Sequence, residues 1–374
     1  MRILITTDVA GGVWSYTEEL VDALVERGHD VALVVLGGPP GRRHESWLRR
    51  RPEVAATVIP CPLEWVPEPE PALSASVDAL RHAVEAAEPD VVHLNQFYYG
   101  AFDLGVPSLV VAHSDVVSWW RAVKGEDPPA DPWFERYRRW VAEGLRGAAV
   151  RVAPSRWIAE QVQAIYAAGP VRVIHNTRTS EAFGGRNAEA RQPMVLTAGR
   201  LWDEGKGARD MVAAARRIGE RGRVVLAGPA EHPAGGEDFP VDAPEIEWAG
   251  TLDARRLRRL LAQASVYAAP SRYEPFGLAP LEAALSGCAL VLSEIDTFRE
   301  LWDGCAAFFP PGDTEALSDA VLELLGDGER RRSLAEAARE RAVKRFSPAR
   351  MAAAYEALYR EVAEHSSLHQ AMAE

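Results

Sequence analysis

Two glutamates, Glu274 and Glu282, bracket the segment Pro275-Phe276-Gly277-Leu278-Ala279-Pro280 in a chain of 374 residues. The segment follows an apolar run, Ser265–Ala269, and enters a helical pattern that Pro280 helps to start. Phe276, Gly277 and Leu278 are therefore expected to offer backbone N–H groups at a helix N-terminus, where phosphate or hydroxyl oxygens bind well. Carboxylates on either side of such a turn can accept paired hydrogen bonds from the vicinal diol of a sugar ring or a ribose. The plainer alternative is a capped helix carrying two surface glutamates.

A second group of residues is Gly199-Arg200-Leu201-Trp202-Asp203-Glu204-Gly205-Lys206-Gly207, again between a strand pattern and a helix pattern. Arg200 and Lys206 there could neutralise the charge that develops on a diphosphate leaving group. Only three lysines occur among 42 basic residues, Lys124, Lys206 and Lys344. A compact ammonium suits a phosphate oxygen in a tight loop better than a guanidinium fork does. The segment is not a P-loop, because the spacing is too long and Gly207 stands where a Ser or Thr would hold Mg²⁺. A third group, Asp8-Val9-Ala10-Gly11-Gly12-Val13-Trp14, joins the first strand to the first helix. Its glycines allow close approach of a ligand, and Trp14 is a candidate platform for an acceptor. His113 stands at a strand end in Val111-Ala112-His113-Ser114-Asp115, and Asn176 closes another.

The elements that must position these groups alternate from the first residue. Arg2–Thr7, Val31–Leu36, Val54–Ile59, Asp90–Leu94, Ser108–Ala112, Ala149–Ala153 and Val171–His175 read as strands. Most are continuous apolar runs, which points to parallel strands covered on both faces. A polar, aperiodic stretch interrupts the pattern, and a second set follows: Met194–Gly199, Arg223–Ala227, Glu245–Trp248, Ser265–Ala269, Ala289–Ser293 and Ala306–Phe309. Helical patterns over Lys206–Arg221, Asp253–Ala264, Pro280–Ser286 and Thr314–Leu325 belong with it. The expectation is α/β architecture with two doubly wound, Rossmann-like domains facing a cleft, where ligands prefer to bind. We place the N-terminal domain at 1–178, a linker at 179–193, the C-terminal domain at 194–348 and a final helix with its tail at 349–374. The apolar stripe of Met351, Tyr355, Leu358 and Val362 marks that helix.

Composition excludes several classes. Hydrophobic residues make up 47% and charged residues 26%, as in a soluble folded protein. A net charge of −12 disfavours duplex nucleic acid as a partner. Three cysteines without paired spacing argue against a disulfide framework and a zinc site. No Asp-x-Asp or His-Glu-x-x-His occurs, so no metal site is expected. The N-terminus turns polar too soon for a signal peptide, and a cytoplasmic location is expected. Trp119, Trp120, Trp133, Phe134, Tyr137 and Trp140 interleave with arginines, as does Trp47 with Arg42, Arg43, Arg49, Arg50 and Arg51. These segments either pack Trp inward and Arg outward or rest on an anionic membrane surface.

The Glu274–Glu282 segment resembles the Glu-x7-Glu motif of retaining GT-B glycosyltransferases of family 4, and the Gly-Arg-x5-Lys-Gly pattern matches at Gly199–Gly207. The resemblance spans nearly the whole chain and is nearest to bacterial mannosyl- and glucosyltransferases. It implies a metal-independent hexosyl transfer from a UDP- or GDP-sugar to a small-molecule, glycan or lipid-linked acceptor, by front-face attack with the departing phosphate as base. It assigns Glu274 to donor-sugar hydroxyls, Glu282 to the ribose, and Arg200 and Lys206 to the diphosphate. The amides of Phe276, Gly277 and Leu278 would meet sugar and phosphate oxygens, and the backbone near Gly250–Leu252 the base. Gly11 and Gly12 would border donor phosphate and acceptor, and His113 would contact the sugar near the reacting carbon. The final helix would cross back to the N-terminal domain. Two departures stand out: Ile295–Arg299 precede Glu300 where the family usually has Gly-Gly, and Thr177 replaces the Gly after Asn176. Other GT-B activities, a nucleotide-sugar epimerase or a phosphorylase, and a non-catalytic partner subunit are the alternatives.

Overall fold

The computed structural model describes residues 1–9, 11–184, 191–232 and 236–373. These form two compact units, Met1–Arg121 with Glu126–Asn176 and Pro348–Glu374, and Ala122–Gly125 with Thr177–Ser347. Part of the expected linker, residues 185–190, lies outside the described residues.

Unit 1 is built on a parallel sheet of seven strands: β1 (Arg2–Asp8), β2 (Asp30–Leu36), β3 (Ala55–Val58), β4 (Val91–Leu94), β5 (Ser108–Val111), β6 (Val150–Ala153) and β7 (Val171–Val173). All seven overlap the apolar runs read from the sequence. The order is β3-β2-β1-β4-β5-β6-β7, so connections diverge from β1 and β4 in opposite directions. Helices α1 (Gly12–Glu26), α2 (Arg42–Arg50), α3 (Ala72–Ala87), α4 (Val116–Lys124), α5 (Pro132–Gly147) and α6 (Arg156–Tyr166) connect the strands.

Unit 2 repeats the plan with β8 (Gln192–Ala198), β9 (Arg223–Ala227), β10 (Glu247–Trp248), β11 (Ala264–Ala269), β12 (Ala289–Ser293) and β13 (Ala307–Phe309). The order is β10-β9-β8-β11-β12-β13, and every recorded pairing is parallel. Its helices are α7 (Ala208–Ile218), α8 (Ala254–Gln263), α9 (Leu278–Leu285), α10 (Asp296–Trp302), α11 (Thr314–Gly326) and α12 (Gly328–Arg345). The last helix, α13 (Pro348–Ala373), returns to unit 1. Its Met351, Tyr355, Leu358, Tyr359 and Val362 complete the core around Ile3, Ile5 and Leu20.

Each sheet has one point at which neighbouring strands send their connections to opposite sides, and open α/β sheets bind ligands at the carboxyl ends of such strands. In unit 1 the point lies between β1 and β4, above which stand Gly11 and Asn95. In unit 2 it lies between β8 and β11, above which stand the Arg200–Lys206 and Ser271–Gly277 loops.

Candidate active site

In unit 2 the two loops are tied to one another by backbone. The Gly205 carbonyl accepts from the amides of Arg272 (2.9 Å) and Tyr273 (3.1 Å). Gly207 makes this approach possible. Its φ is +63°, and a Cβ built there would lie 1.9 Å from the carbonyl oxygen of Pro270. The clamp delivers Lys206 to Glu274, Nζ to Oε2 at 2.7 Å, and both line a shallow concavity with Gly199, Ser271 and Tyr267. Arg200, between the lining residues Gly199 and Leu201, is held by Asp203 at 2.7 Å and lies 5.5 Å over the Trp202 ring. The other oxygen of Asp203 accepts from the Gly205 amide at 2.9 Å. Asp203, buried at 5% exposure, thus orients both cation-bearing ends of the loop.

Glu282 lies in the buried stretch of α9 and is ion-paired to Arg178, Nε to Oε1 at 2.7 Å. Phe276 turns its ring into the core, 5.3 Å from Phe346, so this residue can meet a ligand only through backbone. Leu278 and Leu252 are partly buried against the same core.

The helices at the two switch points share a feature. α1, α7 and α9 begin at Gly11, Gly207 and Gly277, all with positive φ, and none has a side-chain cap. Elsewhere Asp131, Ser155, Asp253, Asp313 and Asp327 cap α5, α6, α8, α11 and α12. A capping oxygen at α1, α7 or α9 would consume first-turn N–H groups that otherwise attract anions.

In unit 1, Asn95 organises the ground below Gly11 and Gly12. Its side-chain nitrogen donates to the Thr6 carbonyl, so Oδ1 accepts from His113 Nε2 at 2.7 Å. The Tyr16 ring meets His113 edge-on at 4.5 Å. Burial lowers His113 to about 3, leaving it neutral at pH 7, with Nε2–H committed to Asn95 and Nδ1 available as an acceptor. Behind it His93 bonds Tyr359 of α13 at 2.7 Å and is likewise lowered to about 3 by burial.

Trp14 does not serve as a platform. It is 2% exposed, its ring stacks on His44 at 4.1 Å and its indole N–H donates to Glu18, so no face remains for an acceptor. Trp47, Tyr137 and Trp140 are also buried, while Arg43, Arg49 and Arg51 pair with acidic neighbours. For these residues the packing reading is the one the structure contains. Among the described residues no helix is long and apolar enough to cross a membrane.

Glu64 gave no signal in the sequence. It comes from the aperiodic, proline-rich stretch after β3, yet is 5% exposed and accepts the amides of Phe97 (2.9 Å) and Tyr98 (2.6 Å) just beyond β4. Burial raises its carboxyl to about 7 against the pull of those amides, with Asp8 adding to the rise. A raised acid pKa contributes stability that is complete below 4.5, the unperturbed value, and is lost as pH rises through about 7. The change is at most about 3 kcal/mol. Urea unfolding at pH 5 and pH 8 should show a smaller loss for Glu64→Gln than for the parent chain. Equal losses would mean that Glu64 ionises freely in the folded state.

Two parallel sheets with helices on both faces, each with loops gathered over its switch point, define the GT-B class of glycosyltransferases. Among solved structures, sucrose-phosphate synthase from Thermosynechococcus elongatus superposes with a TM-score of 0.79 at 22% identity, covering 96% of this chain and 98% of that one. HepE of Anabaena, in complex with UDP and glucose, gives 0.76 at 17% identity over 96% and 100%. A model described as Glycosyltransferase Family 4 matches residues 10–178, and one described as Glycosyl transferases group 1 matches 192–327. The chain belongs to this glycosyltransferase family. It is 28% identical to alpha-maltose-1-phosphate synthase of Mycolicibacterium smegmatis, over 78% of this chain and 83% of that protein. Phosphatidyl-myo-inositol mannosyltransferase of Mycobacterium leprae is 26% identical over 96% of both.

Proposed function

We propose that this glycosyltransferase moves a hexosyl unit from a UDP- or GDP-sugar to an acceptor hydroxyl, with retention of configuration and without a metal ion. The observation that carries the reading is the Lys206–Glu274 pair at 2.7 Å in the concavity over the β8/β11 switch point, with Arg200 in the same loop as Lys206. A cation and a carboxylate at such a point fit the two ends of a sugar diphosphate: hydroxyls for Glu274, and phosphate oxygens for Lys206, Arg200 and the open first turns of α7 and α9. In the reaction the acceptor oxygen bonds to the anomeric carbon as the bond to the diphosphate oxygen breaks. The acceptor proton passes to the departing phosphate. Positive charge at Lys206 and Arg200 stabilises that leaving group, the task a divalent ion performs in other transferases. Glu274 is engaged by Lys206, which makes it a poor covalent nucleophile and favours attack from the face the diphosphate leaves. In unit 1, neutral His113 and the Gly11–Gly12 turn are assigned to sugar and acceptor contacts. HepE, whose structures hold UDP, UDP-glucose, and UDP with glucose, shares the fold and is consistent with a nucleotide-sugar donor.

Thermal unfolding with UDP, GDP, ADP and CDP, each with EDTA present, tests the donor class. At about 100 times the dissociation constant, a ligand adds roughly 2.7 kcal/mol. UDP or GDP is expected to raise the melting temperature equally with and without EDTA. No rise with either overturns the reading.

A further inference from the structure

The ribose assignment leaves a physical difficulty at Glu282. Its side chain is 11% exposed, on a helix whose Pro280, Leu281, Ala283, Ala284 and Leu285 are all buried as well. Those apolar neighbours offer no polar partner to hold the carboxylate in the one orientation that a ribose diol requires. Arg178 answers that difficulty. Its side chain is 9% exposed, its Nε lies 2.7 Å from Glu282 Oε1, and its guanidinium lies 5.5 Å over the ring of Phe183, which is buried in the core of unit 2. The recorded ion pair uses Oε1, which leaves Oε2 for a ligand. Arg178 also sits one residue beyond Thr177, where this chain departs from the family pattern after Asn176.

We propose that Arg178 is a positioning residue for nucleotide recognition: clamped between Phe183 and Glu282, it holds the Glu282 carboxylate turned so that Oε2 reads the ribose hydroxyls. The inference rests on the nucleotide-sugar reading above. A purely structural arginine would alter stability and leave sugar discrimination intact. A positioning arginine must act through Glu282 and must lose its effect when Glu282 is gone.

Calorimetric titration of UDP and GDP, and of their 2′-deoxy counterparts, separates these cases in Arg178→Met, Arg178→Lys, Glu282→Gln and the Arg178→Met/Glu282→Gln double variant. The parent chain is expected to bind its preferred ribonucleotide at least tenfold tighter than the deoxy form. Arg178→Met should weaken ribonucleotide binding by about 10- to 100-fold, the loss expected for a buried charge-assisted contact, and shrink the ribo/deoxy ratio below threefold. Arg178→Lys, which retains the charge, should recover part of the ratio and covers the case in which the methionine variant does not fold. The double variant should bind like Glu282→Gln alone. An unchanged ribo/deoxy ratio in Arg178→Met, or additive losses in the double variant, overturns the proposal while leaving the donor reading intact. A parent chain that binds neither UDP nor GDP overturns the donor reading and the proposal with it.

Discussion

Lys206→Ala is expected to lower turnover about 10²- to 10³-fold, the effect of removing one preorganised group that stabilises developing charge. The ammonium is partly buried, faces the concavity and is already 2.7 Å from Glu274, so its removal does two things at once. It takes away a cation where the diphosphate would gain charge, and it releases Glu274 from a fixed position. Both losses fall on the transition state more than on bound donor, so the fall should be in kcat and outweigh any rise in KM. Lys206→Arg should recover little. The loop has room for an ammonium on a straight stem, and a planar fork demands a different geometry. Initial rates against donor concentration for the three proteins provide the check. Turnover within about threefold of the parent in Lys206→Ala would remove Lys206 from the chemistry.

Gly207→Ala should be strongly damaging for a change that adds only one methyl group. The residue needs φ +63°, which costs an L side chain about 1–2 kcal/mol, and the new Cβ would lie 1.9 Å from the Pro270 oxygen. Backbone displacement to relieve such overpacking adds typically about 1–3 kcal/mol. Together these predict a fall of roughly 6–15 °C in the melting transition of unit 2. The displacement required is the separation of the Lys206 loop from the Arg272–Tyr273 backbone, so activity should fall even where the protein remains folded. Calorimetric scans with donor turnover at 25 °C measure both effects. A variant that melts and turns over like the parent would show that the clamp is not needed.

The fold was legible in the sequence because parallel strands covered on both faces must be continuously apolar, and such runs mark their own positions. The helices were less uniformly visible. α12 escaped because its buried positions are Ala335, Ala338 and Ala342, small residues that leave little hydrophobic contrast in a segment crowded with Arg and Glu. In the site, residues defined by local spacing could be found: Glu274 and Glu282 around a turn, Arg200 and Lys206 in one loop. Residues defined by long-range contact could not. Arg178 reaches Glu282 across about a hundred positions of sequence, Glu64 caps amides beyond β4 from an aperiodic loop, and Asn95 fixes the tautomer of His113 from a neighbouring strand. Trp14 was misread for the opposite reason. Its place beside two glycines suggested a ligand, whereas α2 packs Trp47 against it at 6.1 Å and covers it.

The return of α13 to unit 1 bears on how the chain comes into being. The residues of unit 1 up to Asn176 leave the ribosome with the α13 part of their core missing beside α1, and Tyr359, the partner of His93, is made only after unit 2. Unit 2, apart from Ala122–Gly125, runs without a break from Thr177 to Ser347, and its buried core clusters lie between Phe183 and Phe346. The half of the molecule that is synthesised first is therefore the half that must wait to finish folding. Loss of α13 from Met351 onward, by nonsense mutation or proteolysis, would strike the amino-terminal unit and leave the core of the other intact.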